Sequence, residues 1–146
     1  MAREQQSVVL LDGVVNDEDT HYSDWVDVLG LDRWSVFIKA AETVGAPGDI
    51  TFTIEGSPDS AKAMNEGEKG DGDVLTPTVL MTPLSVLEAQ TVVTSKAISA
   101  AGVALLSGIP SDAIRSIRLK WDSAATTSGA AYWTIMARLV GFASGF

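Results

Sequence analysis

The sequence predicts an all-β protein: an antiparallel β-sandwich of jelly-roll type with about eight strands and little helix. Two runs, WSVFIK and ITFTIE, alternate apolar and polar residues with a period of two and are rich in β-branched and aromatic residues. Combinations of glycine, proline and aspartate separate such runs at intervals typical of sandwiches. The 146 residues correspond to one domain, 1–146, which is long enough to bury its own core.

The N-terminal part is expected to begin with a polar tail. Residues 1–7 and 141–146 are predicted to be contact arms that bind neighbouring molecules. In VVLLDGVV, Asp12 and Gly13 have the composition of a tight turn between two short apolar strands. An acidic loop is expected next, and Trp25 to Leu31 is expected to be a strand or a single helical turn.

Two strands with clear alternation follow. Trp34 to Ala40 carries aromatic residues on both faces, which indicates a central strand. Ile50 to Glu55 directs Ile50, Phe52 and Ile54 inward and Thr51, Thr53 and Glu55 outward. The polar stretch from Ala61 to Asp73 is expected to be mainly a surface loop.

The middle of the chain is expected to form short strands. Pro77 and Pro83 restrict Val74 to Thr94 to short or edge strands, because proline cannot donate to a β-ladder. Lys96 to Ser107 is read as a loop and a short strand that ends at Gly108. A helix is the alternative there, since several apolar residues lie at helical spacing, but Gly102 disfavours it.

The C-terminal stretch from Ile114 to Val140 predicts a β-hairpin. Its arms, IRSIRLKW and YWTIMARLV, both alternate, and a loop of small residues joins them. One face of the hairpin carries Ile117, Leu119 and Trp121 from the first arm and Trp133, Ile135, Ala137 and Leu139 from the second.

The charge balance excludes two classes of partner. Ten lysines and arginines stand against nineteen acidic residues, which gives a net charge of −9. Nucleic acid and anionic membrane surfaces need concentrated basic patches, so neither is an expected partner. The chain has no cysteine, which fits assembly in a reducing cytosol and excludes thiolate metal sites and disulfides.

Candidate catalytic and metal-binding residues are few, and we predict no catalytic, cofactor or metal site. His21 is the only histidine, so a Ser-His-Asp triad would have to use it, with Asp24 or Asp19 as the orienting acid. No nucleophile-elbow motif accompanies it, and an exposed loop histidine is the favoured interpretation. Two acidic stretches lack the EF-hand spacing and are read as solvated loops, although calcium is an alternative for each: Asp17, Glu18 and Asp19, and Glu66, Glu68, Asp71 and Asp73.

Tryptophan offers a second functional hypothesis, a carbohydrate-binding module with an exposed aromatic platform. Trp34, Trp121 and Trp133 are in phase with the aliphatic residues of their strands and are therefore assigned to the core. Trp25 is the one expected to be exposed, so this hypothesis depends on it.

The order of four segments resembles a known class of proteins. WSVFIK is followed by ITFTIEGSPD, and after a long middle region RSIRLKWD leads to YWTIMARL. This arrangement is similar to small β-sandwich structural proteins of tailed bacteriophage virions, which include capsid decoration (cement) proteins and tail or fibre components. The resemblance implies a non-enzymatic virion protein without a cofactor, assembled in the host cytoplasm. It also implies a homo-oligomer, with a trimer as one option, that binds the major capsid protein or other virion proteins.

Overall fold

A computed structural model of the chain describes residues 3–15, 19–45, 47–68, 82–109, 114–123 and 131–144. Within these ranges, twelve strands form two six-stranded antiparallel sheets around one hydrophobic core, and one helix of eight residues lies outside them. The predicted antiparallel β-sandwich with little helix is confirmed. Six of the strands have only two or three residues, which is why alternation in the sequence indicated about eight.

The strands follow one another along the chain, with helix α1 (Ala61–Glu68) after the fifth. They are β1 (Arg3–Val15), β2 (Thr20–Tyr22), β3 (Val26–Asp27), β4 (Arg33–Val44), β5 (Ile50–Ser57), β6 (Thr82–Pro83), β7 (Val86–Glu88), β8 (Thr91–Val93), β9 (Lys96–Ile98), β10 (Gly102–Gly108), β11 (Ser116–Ser123) and β12 (Tyr132–Ser144). Sheet A has the order β1-β12-β4-β10-β7-β8. Sheet B has the order β2-β11-β5-β6, with β3 also pairing with β11 and β9 with β5.

The core lies between the sheets and is built from the predicted inward positions. Sheet A contributes Val36 and Ile38 from β4, together with Trp133, Ile135 and Leu139 from β12. Sheet B contributes Ile50, Phe52 and Ile54 from β5, together with Ile117 and Leu119 from β11. All ten are at most 1% exposed. Full burial of each such side chain stabilises the fold by about 1.5–3 kcal/mol.

The predicted hairpin between the last two strands is wrong. β11 belongs to sheet B, where it pairs with β5, whereas β12 belongs to sheet A, where it pairs with β1 and β4. Alternation shows which side chains of a strand point to the core, but it does not show which strand lies alongside. The two arms therefore face the same core from opposite sheets.

The predicted turn at Asp12 and Gly13 is also wrong. β1 is thirteen residues long and includes both Asp12 and Gly13, and Gly13 lies opposite Ile135 of β12. The one irregularity is a register shift between Val9 and Leu11. β12 is equally long, and pairing along its whole length satisfies the backbone of β1 better than a turn would.

The predicted contact arms lie largely within this ladder. Residues 3–7 pair with residues 140–144, so Arg3 lies opposite Ser144 and Gln5 opposite Phe142. Residues 1, 2, 145 and 146 are outside the described residues. The arms are thus the paired ends of two strands, and their role as contacts stays a prediction.

Helix α1 was not predicted, because the sequence there is polar and short. Ser60 begins it: its hydroxyl accepts a hydrogen bond from the Ala63 amide at 3.2 Å, as an N-cap residue does. The Asp27 carboxylate accepts another from the Ala61 amide at 2.8 Å. Met64 is fully buried against Trp25. Packing against Trp25, which is distant in the sequence, thus stabilises a helix that its own composition does not favour.

Of the stretch from Val74 to Thr94, residues 74–81, with Pro77, lie outside the described residues, and the rest agrees with the prediction of short or edge strands. β7 and β8 are short strands at one edge of sheet A. The predicted strand ending at Gly108 is confirmed as β10, Lys96–Ile98 forms strand β9 where a loop was expected, and the helical alternative is wrong.

Glu55 and Arg118 form a buried ion pair on the outer side of sheet B. The Arg118 Nε donates to Glu55 Oε1 at 2.8 Å, and the side chains are 5% and 10% exposed. The Arg118 guanidinium also lies 3.9 Å from the Tyr22 ring centroid and 4.9 Å from that of Trp25. Glu55 was predicted to point outward, and it does, but into this enclosed pair rather than into solvent.

Removing one partner of this pair is expected to destabilise the protein strongly. Arg118→Met leaves the Glu55 carboxylate buried without its counter-ion and should lower the free energy of unfolding by about 3–5 kcal/mol. The double variant Arg118→Met with Glu55→Leu should recover most of that loss. Urea unfolding followed by tryptophan fluorescence measures both variants. If the double variant were destabilised as much as Arg118→Met alone, the unpaired Glu55 charge would not be the cause of the lost stability.

Gly108 is expected to be required by the ring beside it. A Cβ at this position would overlap the six-membered ring of Trp34, whereas a Cβ at Gly102, in the same strand, meets no atom within 4 Å. Gly108→Ala should cost roughly 1–3 kcal/mol of stability through overpacking. Gly102→Ala should be neutral or slightly stabilising. Thermal unfolding of the two variants beside the wild type checks this, and equal melting temperatures would contradict it.

Candidate interaction surface

The histidine that a triad would need lies on a strand. His21 is a partly buried residue of β2, and its ring centroid lies 5.9 Å from that of Trp121. The predicted loop position is therefore wrong, because β2 pairs with β11 and places His21 opposite Trp121. The two candidate orienting acids, Asp19 and Asp24, are exposed. The prediction that the chain is not an enzyme stays a prediction.

The calcium alternatives lie mostly outside the described residues. Of the seven acids named for them, the side chains of Asp19 and Glu66 are described and both are exposed. Asp17, Glu18, Asp71 and Asp73 fall outside the described residues, as does the side chain of Glu68. Within the described ranges, no group of three or more histidine, aspartate or glutamate side chains is placed to hold a metal ion.

The aromatic platform required for carbohydrate binding is not where the sequence suggested. Trp25 was expected to be exposed, but it is only 2% exposed and packs against Ala61 and Met64. The Trp25 backbone N–H donates a hydrogen bond to Asn65 Oδ1 at 2.7 Å. The Asn65 Nδ2 in turn donates to the Trp25 backbone carbonyl at 3.1 Å. The prediction failed because α1 covers this residue. Trp121 and Trp133 are buried as predicted, and Trp34 is half-buried.

The outward-pointing side of sheet A is apolar. Eleven large apolar residues among those described are exposed, and seven of them share this side through their ladder positions. We call it the outer face of sheet A, and its seven exposed apolar residues are Val9, Val14, Val92, Val103, Leu105, Met136 and Phe142. An exposed apolar surface of this kind usually marks a binding interface.

The two sheets differ in how their outer sides are covered. On sheet B, the rings of Tyr22 and Trp25 lie against Arg118, α1 packs on Trp25, and both Glu55 and Arg118 are buried. On sheet A, none of the described elements lies over the outer face, where Val103 and Leu105 are 60% and 52% exposed. The outer face of sheet A is therefore the side that remains available for a partner.

A depression of 660 Å³ lies in this face. Ser35 and Ser107, on adjacent strands, are among its lining residues, and their hydroxyls lie 3.0 Å apart. Its apolar lining includes Phe37, Leu87, Leu105, Val140 and Phe142. Arg33 and Arg138 also line it, and no acidic residue appears among its described lining residues.

The charge of the outer face is opposite to that of the chain. Its described charged residues are Arg33, Lys39 and Arg138, with Asp12 as the single acid, whereas the whole chain carries −9. Arg138 lies over the Phe37 ring, with its Cζ atom 5.9 Å from the centroid. A partner with an apolar centre and acidic groups around it would be complementary to this face.

A second depression, of 530 Å³, opens at one end of the sandwich. It lies beside Trp34, between the ends of the two sheets, and Leu29, Leu84 and Ile109 are among its lining residues. Arg33, Trp34 and Gly108 line both depressions, so the two meet at this end of β4.

Among the described residues, no helix has the length and apolar character needed to cross a bilayer.

Comparison with known proteins gives a structural likeness only. No protein-family model matches the chain, and no curated protein matches it at a significant level. The crystal structure of the SPBc2 prophage-derived protein YomS is similar, with a TM-score of 0.57 and 8% identity over 97% of this chain and 96% of YomS. A chain from Bacillus endospore appendages, which form disulfide-linked pili, has a TM-score of 0.45 and 10% identity over 98% of this chain and 89% of its own length. The YomS likeness shows a shared fold and no more.

Adjacent positions in β10 should respond oppositely to a charge. Leu105 lies on the outer face and is 52% exposed, whereas Leu106 points to the core and is 1% exposed. Leu105→Lys should change the free energy of unfolding by no more than about 0.5 kcal/mol. Leu106→Lys should prevent stable folding, because it buries an unpaired charge. Circular dichroism melting curves distinguish the two, and severe destabilisation by Leu105→Lys would show that this residue is part of the core.

Proposed function

We propose that this chain is a non-enzymatic structural protein of a tailed-phage virion, and that it decorates the capsid through the outer face of sheet A. The observation that carries the proposal is the exposed apolar surface of that face, beside a second sheet that has its own cover. Extensive surface contact, rather than a catalytic cleft, is what such a face provides. The fold shared with a prophage-derived protein supports a phage origin.

The shell surface that binds this face should match it in chemistry. Side chains such as Leu105 and Phe142 would bury their exposed area against apolar shell residues, and the depression would accept a projecting apolar side chain. Arg33, Lys39 and Arg138 would lie opposite acidic shell residues. A contact of about 800 Å² per partner is the usual size for a specific, stable interface. Several such contacts per shell would hold neighbouring capsid subunits together.

A tail or fibre component is the alternative role, and it would use the same face. The carbohydrate-binding alternative has less support, since the residue on which it depended, Trp25, is buried under α1. Immunogold labelling of virions locates the protein on the head or the tail and separates the first two roles.

One lysine on the outer face is expected to weaken attachment to particles. Purified virions of the phage that carries this gene, stripped of the protein, are incubated with wild type or with Leu105→Lys and then sedimented. Wild type should co-sediment at saturable occupancy. Leu105→Lys should bind about tenfold more weakly or worse, because burial at the centre of an interface desolvates the new charge.

The matched control places the same charge on the other sheet. Ala97 is an exposed residue of β9 in sheet B, so Ala97→Lys should retain wild-type occupancy. The proposal is wrong if wild type is absent from virions, or if Ala97→Lys and Leu105→Lys reduce occupancy equally.

A further inference from the structure

β1 differs from the other long strands in its pairing. Among the described strands, six have seven or more residues, and five of these pair on both sides: β4, β5, β10, β11 and β12. β1 pairs with β12 along one side, and no described strand pairs with its other side. The remaining edges of both sheets are formed by strands of two or three residues. β10 pairs with β7 only through Ser107 and Gly108, so the longest open edge in the described part of the sandwich is that of β1.

This edge has little of the usual protection against strand addition. Proteins commonly protect exposed edges with lysine, proline, charged side chains or very short strands. β1 has thirteen residues and contains neither lysine nor proline, and Gln5 to Leu11 carries no charge. Gln5, Gln6, Ser7, Val8 and Val9 are all exposed, with Val9 at 57%. The strand has charged residues at its first two positions, Arg3 and Glu4, and the register shift near Leu10 and the exposed Asp12 interrupt its second half, so the unprotected stretch is Gln5 to Val9.

We propose that β1 is an assembly edge at which a second copy of this chain adds its own β1 in antiparallel direction. An occupant of this edge must itself present a long, unpaired and largely uncharged strand. Each copy of the chain carries one, of equal length by definition. Antiparallel pairing of a strand with itself is compatible with a twofold axis, the commonest symmetry of protein dimers.

Such a dimer extends sheet A across two molecules. Sheet A of one copy and sheet A of the other become one continuous sheet, and the outer faces of both copies lie side by side. Val9 and Val14 point to this outer side, so the apolar surface continues across the junction. The inference concerns the edge of the sheet and stands whether or not the outer face binds a capsid.

A matched pair of variants separates the edge from the face. Val9 of β1 and Val103 of β10 are both outward-pointing valines of sheet A, 57% and 60% exposed. Val9→Lys places a lysine in the uncharged stretch of the edge strand, and a charged side chain there is one of the devices by which proteins block strand addition. Val103→Lys places its charge in the interior of the same face.

Native mass is measured by light scattering and sedimentation velocity over a hundredfold range of protein concentration. Wild type and Val103→Lys are expected to be dimers, and Val9→Lys is expected to dissociate at least tenfold more readily. Amide hydrogen exchange of residues 5–9 should be slow in the dimer and fast in Val9→Lys, while that of β4 stays slow in both.

Three results would overturn the proposal. A wild type that is monomeric at all concentrations means that β1 does not pair between copies. A closed trimer is incompatible with twofold pairing of one edge. Loss of the dimer in Val103→Lys, with Val9→Lys unaffected, would place the contact on the outer face instead.

Discussion

Burial of the inward faces of four strands, β4, β5, β11 and β12, is the constraint on which the rest of the structure depends. Ten of their large apolar side chains, from Val36 in β4 to Leu139 in β12, are fully buried and meet between the sheets. Because each of these strands is amphipathic, every side chain directed inward fixes its neighbour as outward. The outer sides of both sheets are thus a direct consequence of the core.

The two outer sides then differ in chemistry. On sheet B the outward residues include Glu55 and Arg118, which form a buried ion pair, with Trp25 against Arg118 and α1 packed on Trp25. On sheet A the outward residues include Val103, Leu105 and Met136, which the described part of the chain leaves exposed. Polar groups are enclosed on one side while apolar groups face solvent on the other. This inverts the usual preference for burying apolar groups, and an exposed apolar surface of this kind usually marks a binding interface.

Alternation in the sequence was enough to predict the fold class and the direction of most core side chains. It correctly placed Ile50, Phe52 and Ile54 inward, and it identified β4 as a central strand. Alternation could not predict which strands pair with each other, because any two amphipathic strands can pair equally well by pattern alone.

The candidate surface was harder to predict from sequence. The burial of Trp25 depends on Asn65 and Met64, some 40 residues away, and no local signal connects them. The seven exposed apolar residues of the outer face of sheet A come from four strands, β1, β8, β10 and β12, and they share one face only because β12 lies between β1 and β4. That central position of β12 also affects how the chain folds during synthesis. β1 is synthesised before all other described strands and its partner β12 after them, so β1 stays unpaired until synthesis of the sandwich is almost finished. Pairing between strands so distant in the sequence forms slowly, and an unpaired strand in a nascent chain favours aggregation.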